Sequence, residues 1–437
     1  MNVDSPDLLA TSSELRTIHR RHLAIACSVG PLIGLVATAF QYAITLVTQS
    51  GSHLAAIANG ALWAEVAFCA SCGGLAGFIT QRYAVEAGGS GIPHVEAVLT
   101  HARPLRGLRV LMVKFIGGAL AIGSKFSLGR EGPTIHMGAA IAEEVTKRSK
   151  LPSHLREHVI ACGAGAGLAA AFNAPLAGSL FIIEELRREV HSVTLGMALL
   201  TTVLADAVVR FFLGSAPIMT ATNLLPPALE TIPAVLAITL AGTLGGLLFN
   251  STLIVTVTKL SFRGPLWLRG ALIGSIVALC IHYMPTTTLD EKGAFNTFID
   301  SAPGASTSVT ILLALFGIKL LLTSVCYATG VPGGIFAPML VQGAFIGVAI
   351  GKLMSLTGLG APTDSVSALI GMTAFFAASV RAPFTGVVLL AEMTDGFHLM
   401  LPLMAAALVA YIVSERSGSR PIYERLQNKP SHSFFQK

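Results

Sequence analysis

Apolar residues run along this chain in long unbroken stretches. They show neither the alternation of a half-buried strand nor the one-sided stripe of a soluble amphipathic helix. Nine runs predict helices: 23–49, 54–80, 191–214, 232–258, 268–284, 309–328, 337–356, 366–380 and 396–413. Most reach the roughly 20 residues that a helix needs to cross a bilayer. Between them lie shorter apolar pieces broken by Gly and Pro, at 108–122, 133–146, 158–173 and 175–186. Interrupted helices are tolerated at membrane depth only where they are buried in protein or line a cavity. The Ala- and Gly-rich run 161–171 predicts a surface where helix backbones approach closely.

Composition agrees with this pattern. Of 437 residues, 53% are hydrophobic and 12% charged, about half the charge of a soluble domain. An ordinary soluble enzyme, a disordered regulator and a fibrous protein are excluded. The fold class expected is an all-α polytopic membrane protein in contact with lipid. The net charge of +6 would suggest nucleic acid in a soluble chain. Here the basic residues stand in short loops, at Arg103, Arg106 and Arg109, at Lys147, Arg148, Lys150 and Arg156, and at Lys259, Arg263 and Arg269. That distribution predicts cytoplasmic loops and no nucleic-acid partner. Arg16, Arg20 and Arg21 precede the first run, and Arg416, Arg420, Arg425 and Lys429 follow the last. Both termini are therefore expected in the cytoplasm of a multi-pass protein. A polar start leaves no cleavable signal peptide. The six cysteines are too scattered for a disulfide framework, and Cys69-x-x-Cys72 reads as small apolar filler. The twelve histidines lack zinc-ligand spacing, so neither metal nor cofactor is expected.

The chain repeats itself. Residues 174–184, A-P-L-A-G-S-L-F-I-I-E, are echoed by A-P-F-T-G-V-V-L-L-A-E at 382–392. Upstream, Lys114 and Lys319 each lie within an apolar run. Paired interrupted helices in two halves suggest a transporter or channel with its site where the halves meet. The expected division is a cytoplasmic segment 1–22, a first membrane repeat 23–214, a linker 215–231, a second repeat 232–426 and a cytoplasmic tail 427–437.

Candidate chemistry sits at the Gly/Pro breaks. In G-G-S-G-I-P (88–93) the Pro suits a first helical turn. Gly89 and Gly91 leave backbone amides open there, and Ser90 adds a hydroxyl. A helix start carries about half a positive charge, so this break either holds an anion or is a capped turn. In G-R-E-G-P (129–133), Glu131 would be drawn to the same dipole that attracts an anion. It could occupy the seat when ionised and leave it when protonated. Ionisable residues at membrane depth point to function. In G-I-F-A-P (334–338) the amides of Ile335 and Phe336 could face the ion from the other half, or Phe336 could simply pack. Of Glu184 and Glu185, only Glu184 has a counterpart, Glu392, whereas Glu185 matches Met393. The symmetric residue reads as structural and the asymmetric one as a proton entry point; the alternative is pairing with Arg187 and Arg188. Lys114 and Lys319 could raise the potential of an anion path or pair with Glu184 and Glu392. G-G-S-G also matches the G-x-S-G of intramembrane serine proteases, with His136 as base, but that reading leaves the other motifs and the repeat unexplained.

Together G-S-G-I-P (89–93), G-R-E-G-P (129–133) and G-G-I-F-A-P (333–338) resemble the CLC family of chloride channels and chloride/proton exchangers. A-A-A-F-N-A-P-L-A-G (169–178), F-I-I-E-E-L (181–186), A-E-M-T-D (391–395) and P-I-Y (421–423) match as well. The resemblance implies two inverted-topology repeats and a homodimer with one anion pathway per subunit. It implies that Ser90, Gly91, Ile335, Phe336 and Tyr423 cradle the anion. Glu131 would be the external gating glutamate and Glu185 the internal proton glutamate. The activity implied is exchange of chloride for protons, a secondary active transport rather than an enzymatic reaction; the alternative is a passive chloride channel or a proton-uncoupled transporter. Ser at 90 resembles chloride-selective members rather than nitrate-preferring ones, which have Pro. Two features depart from the family. Lys125 stands where relatives tend to carry a small or apolar residue, which puts proton coupling in question. The chain also stops soon after Tyr423, which suggests a minimal, prokaryotic form without nucleotide-sensing domains.

Overall fold

The long apolar runs fold as helices that cross between two halves of related build. The computed structural model describes residues 12–149, 151, 153–187, 192–219, 224–259, 264–288, 293, 307–358 and 360–427. Among them are sixteen α-helices. The first half holds α1 (Ser12–Ile57), α2 (Leu62–Tyr83), α3 (Ile92–Leu99), α4 (Gly107–Gly123), α5 (Glu131–Ser149), α6 (Ser153–Phe172), α7 (Pro175–Phe181) and α8 (Ser192–Leu213). The second holds α9 (Ile232–Lys259), α10 (Leu266–Tyr283), α11 (Val309–Ala328), α12 (Phe336–Leu356), α13 (Asp364–Val380), α14 (Pro383–Thr394), α15 (Met400–Arg416) and α16 (Ile422–Gln427). Lys150, Arg188, Arg263 and Lys429 lie outside the described residues.

Among the described residues, eight helices are long and apolar enough to cross a membrane: α1 from Ala24, α2, α8, α9, α10, α11, α12 and α15. The protein is an integral, multi-pass membrane protein. The remaining expected run, 366–380, lies in the 17-residue α13, which is buried from Ser365 to Val380. It forms the centre of the second half rather than a lipid-facing span. Boundaries near the N-terminus differ from the sequence expectation, and the first helix already begins at Ser12 rather than 23. The first helix does not stop at 49 but continues to Ile57, and the second begins at Leu62 rather than 54. Polar residues that look like a break are absorbed, because Ser50 and Ser52 donate to the carbonyls of Leu46 and Thr48 one turn back. The turn falls instead at Asn59 and Gly60, both with left-handed backbone.

Equivalent helices of the two halves pack alike and run in opposite directions. In the first half α5 meets α6 where Gly138 lies against the carbonyl of Gly163. In the second, α12 meets α13 where Gly343 lies against the carbonyl of Gly371. A Cβ at any of these positions would strike the partner's main chain. Across the halves, Glu184 after α7 reaches the start of α14, and Glu392 near the end of α14 reaches the start of α7. Such a reciprocal contact requires α7 and α14 to be antiparallel. The α2–α10 pair is antiparallel as well, with Cys69, Gly73 and Gly77 facing Gly274, Gly270 and Leu266 in turn. The repeat legible in the sequence is thus an inverted one.

Candidate functional site

Three Gly/Pro breaks converge between the halves. The amide of Gly89 donates to the Val331 carbonyl at 3.2 Å, and Gly333 donates back to Gly89 at 3.0 Å. Gly129 and Gly334, the residues that open the second and third motifs, exchange two hydrogen bonds, each 2.7 Å. The loops before α3, α5 and α12 are thereby bound main chain to main chain, and three helix starts point into one region. Gly91 caps α3 with φ 94°, a conformation that glycine adopts without penalty. Pro93 stands in the first turn of α3, as its position in the motif predicts.

The side chains singled out in the sequence gather here. Ser90 is buried and its hydroxyl has no hydrogen-bond partner. It lies against Gly132, close to Gly334. The short helix α16 packs on α3 and carries Tyr423, which is fully buried with its hydroxyl also unpartnered. Two orphaned hydroxyls beside helix starts are donors awaiting an acceptor, because buried polar groups are normally satisfied. Ile335 caps α12 and Phe336 begins it; both are buried. The first amides of a helix have no intrahelical acceptor. The Phe336 ring is fixed between Phe172 and Phe376, at 5.3 and 4.5 Å between centroids. Glu131 begins α5, is fully buried, and accepts from the Ala337 amide of α12 at 3.4 Å. It also forms the floor of a cavity of about 280 Å³ shared with Gln41, Thr45, Lys125, Lys319 and Ala337. Glu185 is buried in a π-helical turn, Ile182–Arg187, and acts electrostatically on Tyr423, as do Glu131, Glu96 and Tyr327. The donor set consists of hydroxyls and amides, which suits a bare anion.

A family model described as voltage gated chloride channel matches residues 72–415. The chain belongs to the CLC family. The H(+)/Cl(-) exchange transporter ClcA of Vibrio vulnificus is 37% identical over 424 residues, covering 93% of this chain and 89% of the relative. The ClcA of Vibrio parahaemolyticus is 36% identical with the same coverage. Among solved structures, a slow cyanobacterial Cl-/H+ antiporter superposes with a TM-score of 0.85 at 32% identity, over 95% of this chain and 98% of that one. A CLC-type fluoride/proton antiporter, at 21% identity and a TM-score of 0.74, shares the fold.

Within this CLC chain the two readings left open for the buried lysines can be told apart. Neither buried lysine pairs with Glu184 or Glu392. Lys114 donates to the carbonyls of Ala87 and Gly89 at 2.8 and 2.7 Å, so it braces the first motif from behind. Lys319 donates to the Thr287 carbonyl at 3.1 Å and faces the cavity above Glu131. The two glutamates instead cap helices. Glu184 accepts from the amides of Phe384 and Thr385 at 3.0 and 2.6 Å, and Glu392 accepts from Leu176 and Ala177 at 3.1 and 2.8 Å. A carboxylate satisfies open amides and the dipole of a helix start together. Of the two arginines considered as partners for the acidic pair, Arg187 binds Glu157 at 3.0 Å, and Arg188 lies outside the described residues. The sequence pattern does not single out His94. It sits in the first turn of α3 against His136, and its only signal is its place directly after G-S-G-I-P.

Proposed function

We propose that this chain exchanges chloride for protons across the membrane, with Glu131 as the removable occupant of the anion seat. One observation carries the reading: the Glu131 carboxylate rests at the head of α12, in the same buried region as the unpartnered Ser90 and Tyr423 hydroxyls. The 3.4 Å contact to Ala337 is longer than the 2.7–2.9 Å usual for charge-assisted bonds. Protonation removes the charge that draws the carboxylate to the helix start, and the side chain is released. Chloride then takes the position, held by Ser90, Tyr423, the amides of Ile335 and Phe336, and the α3 start at Gly91. Partial charges suffice, and a moving ion must not bind too tightly.

Glu185, buried beyond Tyr423, supplies the proton from the other side. Protons pass between Glu185 and Glu131, while chloride passes through the seat that Glu131 vacates. The exchanger relatives and the structural likeness to an antiporter support coupled transport over passive conduction. The same reading places the protein in a bacterial inner membrane as a homodimer, with residues 1–22 and 427–437 in the cytoplasm. Its two transport halves are 23–214 and 232–426, joined by 215–231. The test uses the purified chain in sealed lipid vesicles. A chloride gradient should drive protons uphill. Chloride movement without protons would leave a passive channel or uncoupled transporter, and movement of neither would remove the anion reading altogether.

A further inference from the structure

A pair of buried imidazoles lies beside the anion cradle and takes no part in the pathway described above. His94 Nδ1 and His136 Nε2 are 2.9 Å apart, with the rings edge to face at 5.0 Å between centroids. His94 is 4% exposed and His136 not at all. His136 Nδ1 has no hydrogen-bond partner. That nitrogen is the atom nearest to where a Cβ on Gly91 would stand, so it faces the residue that caps α3. Ser90 adjoins that cap, and His94 lies in the first turn of the same helix.

The hydrogen bond sets how many protons the pair holds. In its neutral form one nitrogen donates and the other accepts across the 2.9 Å contact. One added proton gives an imidazolium that still donates to a neutral imidazole, and the bond is kept. A second would set N–H against N–H and break it. The capacity is one extra proton, drawn from solution.

Several charged groups surround the pair. At His136 burial opposes the proton most, and Lys114 of α4 and a charge on His94 add to that. From the turn before α3, Glu86 acts on His94 and favours it, although Glu86 is also bound by Arg106 at 2.6 Å. Glu96 lies two residues along α3, and Tyr423 of α16 links electrostatically to Glu96, Glu131, Glu185 and Tyr327. A positive charge below the head of α3 adds to the partial charge already there.

We propose that the His94–His136 pair is a second proton-binding site, whose single extra proton strengthens chloride binding at Ser90 and Tyr423. The inference rests on the anion seat proposed above. By linkage, chloride binding and proton uptake at the pair then promote each other by the same factor.

The test uses the full chain carrying Glu131→Gln, which removes the gating carboxylate. Chloride titrations by calorimetry run from pH 8 to pH 5.5, in buffers of different ionisation enthalpy, to count protons taken up. Chloride affinity should rise about fivefold or more as pH falls, with net proton uptake per chloride bound. Adding His136→Gln, which retains a polar group of similar reach, should reduce the rise to less than about twofold and abolish the uptake. Unchanged pH dependence and uptake in that double variant would assign the proton to Glu96 or Glu185 and overturn the proposal. The Glu131→Gln protein alone is also decisive, since chloride binding without proton uptake overturns the proposal whether or not the double variant folds. If chloride does not bind to it at any pH, the anion seat itself is wrong and the proposal falls with it.

Discussion

The two halves of the molecule share a frame and divide the chemistry. Aligned from their opening glycines, G-R-E-G-P-T-I-H-M-G at 129–138 lies over G-I-F-A-P-M-L-V-Q-G at 334–343. Gly129 and Gly334 bond to each other across the boundary, and Gly138 and Gly343 make the equivalent helix crossings. At three aligned positions a titratable residue of the first half meets an apolar one in the second, whereas Glu184 and Glu392, and Lys114 and Lys319, are kept in both. Glu131 faces Phe336, His136 faces Val341, and Glu185 faces Met393. Main chain and glycine carry the symmetry, so side chains are free to differ. At these three positions the first half carries titratable side chains and the second carries apolar ones.

The sharpest way to break this contrast is Glu131→Gln. Proton transport in vesicles should vanish while chloride flux persists without its pH dependence; persistent coupling would remove Glu131 from its assigned role. Next in size, Glu185→Gln should stop protons and leave chloride moving. Met393→Glu in that background should not restore them, since the second half lacks a proton route. Recovery of proton flux would show that the halves are interchangeable after all.

Ser90→Ala removes one neutral donor to a charged ion, at a cost of about 1.5–3 kcal/mol. Chloride affinity measured by calorimetry should fall by roughly tenfold or more. Glu184→Gln and Glu392→Gln each weaken two amide caps, while the extra bond that Glu184 accepts from the Thr385 hydroxyl at 2.6 Å can be kept by the Gln amide oxygen. Each should cost about 1 kcal/mol of stability, read as similar drops in the unfolding temperature in detergent. A drop in only one of them would mean that the caps are not equivalent. The smallest effect belongs to Lys125, an exposed residue at φ 66° on the rim of the cavity above Glu131. Lys125→Gly relieves a left-handed strain of about 1 kcal/mol. It should raise the chloride concentration for half-maximal flux by less than about threefold, an effect that fades with added salt.

The division of labour was legible in the sequence to an uneven degree. Long apolar runs announce themselves, because the bilayer sets one length for all of them. The end of α1 did not, since a serine that bonds to its own helix looks the same in sequence as one that breaks it. Ser90, Glu131 and Phe336 could be found because Gly and Pro mark the helix starts where they act. The partners of Lys114 could not, because they are backbone carbonyls, which every residue possesses. The His94–His136 contact was hidden for another reason: its members lie on different helices, and no spacing rule joins them.

The crossed caps on α7 and α14 also govern how the protein can be made. When Glu184 leaves the ribosome, the helix start that it will cap is still about 200 residues from synthesis, roughly 10–40 seconds away at ordinary rates. The start of α7 waits equally long for Glu392. During that interval the nascent first half holds an unmatched carboxylate and bare amides inside the lipid. Until the second half arrives these groups lack their native partners, so the crossed caps close only late in assembly.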